Sequence, residues 1–348
     1  MVRAVEANAV PFTLVLADGR RAWAEVEEDR ARVVVEGGGA VSLARPERGV
    51  FTALDGFEAG LPPEALLPLL AHVFARRPKV EAAQITLPAS EDWAREAIRA
   101  GVVQSVAPGE GGRQFTATRS AFWQHPDLWL KGRPSGQTPL AYVMTGEKRH
   151  PQRPPKPVGE VYRRHMPRFK AEFSLRTVDI EADLETFNRW MNLDSVAEFW
   201  NERGTLDQHR SYLTTIAADP HTISFFGCFD DAPFAYFEMY WAKEDRVAPF
   251  YDADDYDRGL HLLVGDPRHQ GPGKVEAWFR ALSHYMFLDD PRTRRLIGDP
   301  RIDHVRWIEY MQKQGFVRLK AFDLPHKRSE LIFIERETFF GPPHSGPA

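Results

Sequence analysis

The stretch LHLLVGDPRHQGPGK, residues 260–274, decides how this chain is read. Its first half is an aliphatic strand interrupted by one histidine, His261, and it runs directly into Arg268-His269-Gln270-Gly271-Pro272-Gly273. Glycines at such a turn let the backbone pass close to a ligand, and the N–H groups opening a following helix favour an anionic phosphate. A helix is predicted there, because Val275, Trp278, Phe279, Leu282, Tyr285 and Met286 recur at helical intervals. The turn is not a P-loop, since no Gly-Lys-Ser/Thr follows at the right spacing. It also lacks the G-x-G-x-x-G of dinucleotide binders.

Working outward, SLRTVD starts a strand and helices are predicted around Asp183–Met191 and Thr205–Ala218. SFFGCFDDAPFAYFEMYW is a hairpin turning around Asp230-Asp231-Ala232-Pro233. Strand RRLIGDP, helix DHVRWIEYMQKQ and strands VRLKAFD and ELIFIE close this half. The first half reads as short strands in VPFTLVL, RAWAEVEE, ARVVVEG and AVSLA, then a helix from Pro62 to Arg77. Strand AAQITLP, helix SEDWAREAIRAG with Ser90 as cap, and strand RQFTATRSAF follow. The order helix, strand, helix, glycine at 62–101 returns at 274–315, with Pro88 matching Pro300 and Gly101-Val102-Val103 matching Gly315-Phe316-Val317. We read a weak internal duplication. Between the halves, the basic, proline-dense segment Arg149–Lys170 reads as a solvated linker. The expected domains are 1–148, a linker 149–170 and a main domain 171–341.

Composition narrows the function. The 348 residues are 43% hydrophobic and 27% charged, which suits a globular chain. A net charge of -4 argues against nucleic-acid binding. The single cysteine, Cys228, excludes an intrachain disulfide and sits in an apolar run, where a buried small residue is expected. With no signal-like start and no stretch near the ~18 apolar residues of a membrane helix, a cytoplasmic protein is expected. The acidic run Asp252–Asp257 lacks the central Gly and terminal Glu of an EF-hand, so it reads as a solvated loop and no metal site is expected.

The glycine turn resembles the Arg/Gln-x-x-Gly-x-Gly/Ala loop with which GNAT acyltransferases cradle the pyrophosphate of coenzyme A. Further segments, RWMNLDSVAEFW (189–200), FEMYWAKEDR (237–246), YDRGLHLLVGDP (256–267), LSHYMFLDDPRTRRL (282–296) and FDLPHKR (322–328), are similar to the siderophore-biosynthesis branch of that superfamily. That branch comprises N6-hydroxylysine and N5-hydroxyornithine acetyltransferases, and the resemblance runs from about Tyr162 to Phe340. It implies an α/β mixed-sheet GNAT fold in the C-terminal half, preceded by a smaller, degenerate GNAT-like half. It also implies acetyl-CoA or another acyl-CoA as co-substrate and a small N-hydroxy amine as acceptor. Other siderophore-pathway enzymes are the implied partners, for a monomer or homodimer.

The resemblance also assigns roles. His261 in its aliphatic strand would be the base, since imidazole titrates near neutrality. Its carboxylate partner, at the end of the next strand, would be Asp299, where many relatives carry the longer Glu. Leu263, Val264, Arg268, His269, Gln270, Gly271, Pro272, Gly273 and Lys274 would bind the cofactor, with His304 in the place of a usual asparagine. Substrate contacts are expected from Trp200, Asn201, Glu238 and Tyr240, and from Trp241, Asp245 and Arg258. His326, Lys327 and Arg328 stand nearer the chain end. The tyrosine that protonates the leaving thiolate in many GNAT enzymes is replaced by Met311, and Tyr310, one step off, is expected to point elsewhere. Rival readings are a GNAT enzyme acting on another amine, and a non-catalytic acyl-CoA sensor.

Overall fold

The structure is a computed structural model and describes residues 12–47, 49–57, 61–77, 79–132, 139–166 and 168–341. Part of the strand expected in VPFTLVL lies outside the described residues. The chain divides after Leu128 into two compact units, the second being Trp129–Phe339.

Unit one contains β1 (Thr13–Val15), β2 (Arg21–Val26), β3 (Arg30–Val35), β4 (Gly38–Glu47) and β5 (Val50–Asp55). These are followed by α1 (Leu67–Arg76), β6 (Ala82–Leu87), α2 (Glu91–Arg99), β7 (Ser105–Gly109), β8 (Gly112–Thr118) and α3 (Arg119–Trp123). Sequence reading overlooked β5 and β7, and extended β8 over residues that form α3. Helix α1 buries Leu67, Leu69, Leu70, Val73 and Phe74, each worth about 1.5–3 kcal/mol of hydrophobic stabilisation. Helix α2 starts on Ser90, whose hydroxyl accepts from Trp93 N at 3.2 Å, and ends on Gly101 at φ +75°.

Unit two holds a small hairpin, β9 (Tyr142–Thr145) with β10 (Lys148–Pro151), then β11 (Glu160–Met166) and β12 (Ala171–Thr177). Helices α4 (Ile180–Met191), α5 (Asp194–Trp200) and α6 (Leu206–Ala218) lead to β13 (Thr222–Phe229), β14 (Ala232–Trp241) and β15 (Arg258–Val264). Then come α7 (Pro272–Asp289), β16 (Arg295–Gly298), α8 (Val305–Lys313), β17 (Val317–Leu324) and β18 (Lys327–Glu335). Sequence reading missed α5.

The solvated linker is not there. Residues 149–170 supply part of β10 and all of β11, the edge strand of the main sheet, and Arg153 is buried against Glu244. Proline density misled because an edge strand tolerates neighbouring prolines. The acidic run is likewise no simple solvated loop, since Asp257 is fully buried and pairs with Arg295 at 2.7 Å.

Each unit carries an eight-stranded sheet among the described residues. The orders are β1-β2-β3-β4-β5-β6-β8-β7 and β11-β12-β13-β14-β15-β16-β18-β17. In each, the fifth and sixth strands pair in parallel and the rest antiparallel. The β13–β14 turn uses Asp230 and Asp231 at φ +48° and +64°, the signs a two-residue type I′ hairpin demands. Strands β13 and β14 are buried on both faces, which explains their continuous apolar runs. Phe226, Tyr236 and Leu263 pack with Phe187 and Trp190 of α4. On the opposite face Phe225 and Phe237 meet Tyr285 and Trp278 of α7. Cys228 is buried and free.

Candidate active site

Strand β15 pairs with β14 along its whole length but with β16 only at Arg258 and Gly259. Beyond Gly259 the two parallel strands part, and a cleft of about 2220 Å³ opens between them, walled also by α5 and α8. Two side chains seat its edge. Trp200 Nε1 donates to Leu262 O at 3.2 Å, and Gln270 Nε2 to Val264 O at 3.3 Å. Gly259 is required by packing, because any Cβ there would overlap the Tyr240 ring.

Register puts Glu238 directly opposite His261, with both facing the cleft. Glu238 is buried, and its carboxylate accepts from Tyr212 Oη at 2.5 Å, Tyr236 Oη at 2.8 Å and His261 Nδ1 at 3.1 Å. Burial works against ionisation, but the His261 bond and charge and the two hydroxyls outweigh it, so the carboxyl stays below its usual range. An ionised Glu238 can only accept, which fixes the proton of the neutral ring on Nδ1. Nε2 is left as the basic nitrogen, buried and without a hydrogen-bond partner among the described residues. For His261 too, burial opposes the charged form, yet Glu238, Asp299 and Asp245 raise its pKa above the ordinary value.

Asp299 is buried with its Oδ1 3.9 Å from His261 Nε2, beyond hydrogen-bond reach. Its carboxylate pairs with Lys327 Nζ at 2.9 Å, and Tyr240 Oη lies 3.5 Å from Oδ1. The carboxylate that grips His261 is therefore Glu238, expected from sequence only as a substrate contact. A glutamate inside APFAYFEMYW, an otherwise apolar strand, was the available signal.

Of the expected substrate residues, Trp200, Asn201, Glu238, Tyr240 and Asp245 line the cleft, as do His326, Lys327 and Arg328. Trp241 and Arg258 do not. They occupy the other face, where Arg258 is buried against Trp241 and bonds Asp289 Oδ2 at 2.7 Å. One residue of strand alternation separates Arg258 from Gly259 and turns it away.

Among the expected cofactor residues, Leu263, Val264, Gln270, Gly273 and His304 line the cleft. Arg268 is exposed and tied to Asp266 at 2.6 Å, and His269 stacks on Phe229 at 4.8 Å, so neither reaches it. Gly271 is the N-cap of α7, and Pro272 and Lys274 open that helix, which starts with no side-chain cap. Arg168 stands over this helix start, with its Nη2 3.2 Å from where a Cβ on Gly273 would be. Tyr310 does not point elsewhere. It lines the same cleft as Met311, with its buried hydroxyl unpartnered among the described residues.

Residues 179–324 match the family model described as an acetyltransferase (GNAT) domain. Over 282 residues the chain is 39% identical to an N(6)-hydroxylysine O-acetyltransferase of Escherichia coli, covering 80% of this chain and 86% of that protein. It is 49% identical over 195 residues to an N(5)-hydroxyornithine:cis-anhydromevalonyl coenzyme A-N(5)-transacylase of Beauveria bassiana, covering 55% of this chain and 43% of that protein. Across three fungal relatives the chain spans 66%, 43% and 57% of their lengths, less than two thirds in each. The crystal structure of an uncharacterized protein of Bacillus halodurans, 26% identical, superposes with a TM-score of 0.50 over 53% of this chain and 94% of that one.

The fold around the cleft is that of a GNAT acetyltransferase domain. Within that class, the chain belongs to the siderophore-biosynthesis GNAT N-acyltransferase family.

Proposed function

We propose that this chain transfers an acyl group, acetyl in the simplest case, from acyl-CoA to the hydroxylamine nitrogen of N-hydroxylysine or N-hydroxyornithine, yielding a hydroxamate for siderophore assembly. The observation that carries the reading is His261, a cleft-lining histidine whose Nδ1 is held by Glu238, which leaves Nε2 as its basic nitrogen. Oxygen withdraws electron density from the acceptor nitrogen, so much of the acceptor is neutral at cellular pH and a modest base suffices. The nitrogen attacks the thioester carbonyl, an N–C bond forms, and the C–S bond breaks. His261 Nε2 takes the proton from nitrogen, and the thiolate leaves to be protonated by solvent or by the Tyr310 hydroxyl. Asp299, held by Lys327, faces the acceptor from the other strand. The phosphates of coenzyme A belong at the start of α7, where Gly271 and Gly273 leave the backbone open and Arg168 adds a positive charge. A cytoplasmic setting, a monomeric or dimeric state and hand-over to other pathway enzymes go with this reading.

Unit one we read as a degenerate GNAT-like copy without a coenzyme A site of its own.

The test is a panel of N6-hydroxylysine, N5-hydroxyornithine and lysine with acetyl- and succinyl-CoA, read by mass and by ferric colour. A hydroxamate chelates iron, whereas an O-acylated hydroxylamine does not. Colour with either N-hydroxy acid is the expected result. Turnover of lysine alone, or a colourless acylated product, overturns the reading.

A further inference from the structure

One end of the cleft carries an anion and a cation to which the proposed chemistry assigns no substrate contact. Asp245 and Arg246 both line it, immediately after β14 ends at Trp241. Among the described residues Arg246 has no hydrogen bond or ion pair, and no cation pairs with the Asp245 carboxylate. Asp245 Oδ1 accepts only from Val247 N at 2.9 Å, which fixes the side chain and leaves its second oxygen available.

Their neighbour Glu244 explains why they are displayed. Glu244 is buried, and Arg153 grips it through two bonds of 2.5 and 2.7 Å, with His150 Nδ1 at 2.9 Å. Lys148 Nζ donates to the main-chain oxygens of Glu244 and Asp245. His150, His221 and Glu244 stand close enough to hold a metal ion, but the Arg153 guanidinium already occupies both Glu244 oxygens. A dication there would face that fixed positive charge. The cluster is an anchor, and it locks the turn so that the next two side chains project into the cleft.

Resting on the acceptor class proposed above, we infer that Asp245 and Arg246 form a clamp for the α-ammonium and α-carboxylate of a free amino acid. Glu238, opposite the base, lies three residues before β14 ends. That is about 10 Å of strand rise to Trp241, with Asp245 and Arg246 four and five residues further along the turn, a distance met by an extended acceptor side chain and an arginine reaching back. The α-carboxylate meets Arg246, the α-ammonium meets Asp245, and the distal hydroxylamine is delivered to His261. The clamp selects free amino acids over hydroxylated diamines, which have no carboxylate to offer.

The test compares three acceptors in wild type, Arg246→Gln and Asp245→Asn. They are N6-hydroxylysine, N-hydroxycadaverine, which lacks the carboxylate, and 6-(hydroxyamino)hexanoate, which lacks the ammonium. The readout is the ratio of kcat/KM values within each protein, which cancels any general loss of folding or base. Wild type should favour N6-hydroxylysine over each truncated acceptor by ~10–100-fold, the worth of one charge-assisted hydrogen bond. Arg246→Gln should bring the hydroxylysine-to-hydroxycadaverine ratio close to one, and Asp245→Asn should do the same for hydroxylysine against the hexanoate. An unchanged ratio in either variant overturns that half of the clamp. A wild-type protein that acylates none of the three removes the functional reading, and the clamp with it.

Discussion

Units one and two repeat one strand order, so their differences isolate what chemistry needs beyond topology. At the parallel rungs Phe51 meets Ile85 in unit one, and Gly259 meets Ile297 in unit two. Two residues on, Ala53 stands opposite Leu43, where His261 stands opposite Glu238. Before the matching prolines, Leu87 occupies the place of Asp299. All three titratable groups are thus apolar in unit one, where Leu43 and Leu87 are fully buried. A bulky Phe51 also sits where Gly259 makes room for Tyr240. The connections differ as well. Three residues join β2 to β3, whereas residues 178–221 join β12 to β13 and carry α4, α5 and α6, of which α5 and α6 supply a wall of the cleft. On one strand order, unit two thus adds to the sheet a handful of polar residues and one long connection.

The largest expected effect comes from making unit two resemble unit one at its base. His261→Ala should lower turnover of the N-hydroxy acid by about 10²–10⁴-fold while leaving acyl-CoA affinity nearly intact. A variant with an intact circular-dichroism spectrum and turnover within ~3-fold of wild type would show His261 to be a core residue only.

Glu238→Gln sharpens the contrast with Leu43. An amide can donate as readily as accept, so the ring tautomer is no longer fixed, and plateau turnover should fall about 10–100-fold. The pH profile separates positioning from mere packing. Glu238 and Asp299 raise the His261 pKa, so wild-type kcat/KM should climb with pH through an apparent value above the ordinary ~6.5. Without the Glu238 charge, the limb should move to lower pH. A limb that stays put would mean another group sets the profile.

Gly273→Leu addresses the loop before α7, which unit one does not reproduce. The added side chain would press on Arg168 and on the path of the phosphates. Calorimetry should report acyl-CoA binding weakened roughly 5- to 150-fold, in line with ~1–3 kcal/mol for overpacking. Unchanged affinity would break the assignment of the phosphates to this helix start.

The smallest effect is a null contribution. Titration should give one coenzyme A per chain, and a second equivalent would mean that unit one binds despite its apolar replacements.

Local sequence carried much of this. The apolar strand into a glycine turn, the helix with 3.6-residue spacing, the Ser90 cap and the paired Gly101 and Gly315 ends were legible because each depends on neighbours within a few residues. The two glycine ends even share their hydrogen bonds, Val102 N to Ala97 O and Phe316 N to Met311 O, both at 3.1 Å. The segment 149–170 misread as a linker shows the limit. Arg153 looks solvated until Glu244, 91 residues away, is brought against it. The same holds at the base. A histidine in a strand could be singled out from its neighbours, but Glu238 lies 23 residues away, and only the register of β14 on β15 makes it the partner. Asp299, chosen from sequence, ends 3.9 Å from the ring and belongs to Lys327. Sequence by itself determined most of the elements and the chemical kinds of residue, because propensity and periodicity are local. Tertiary structure decided which carboxylate fixes the histidine tautomer and which side chains face the cleft. Hydrogen bonding and desolvation act over a few ångströms, whatever the distance along the chain.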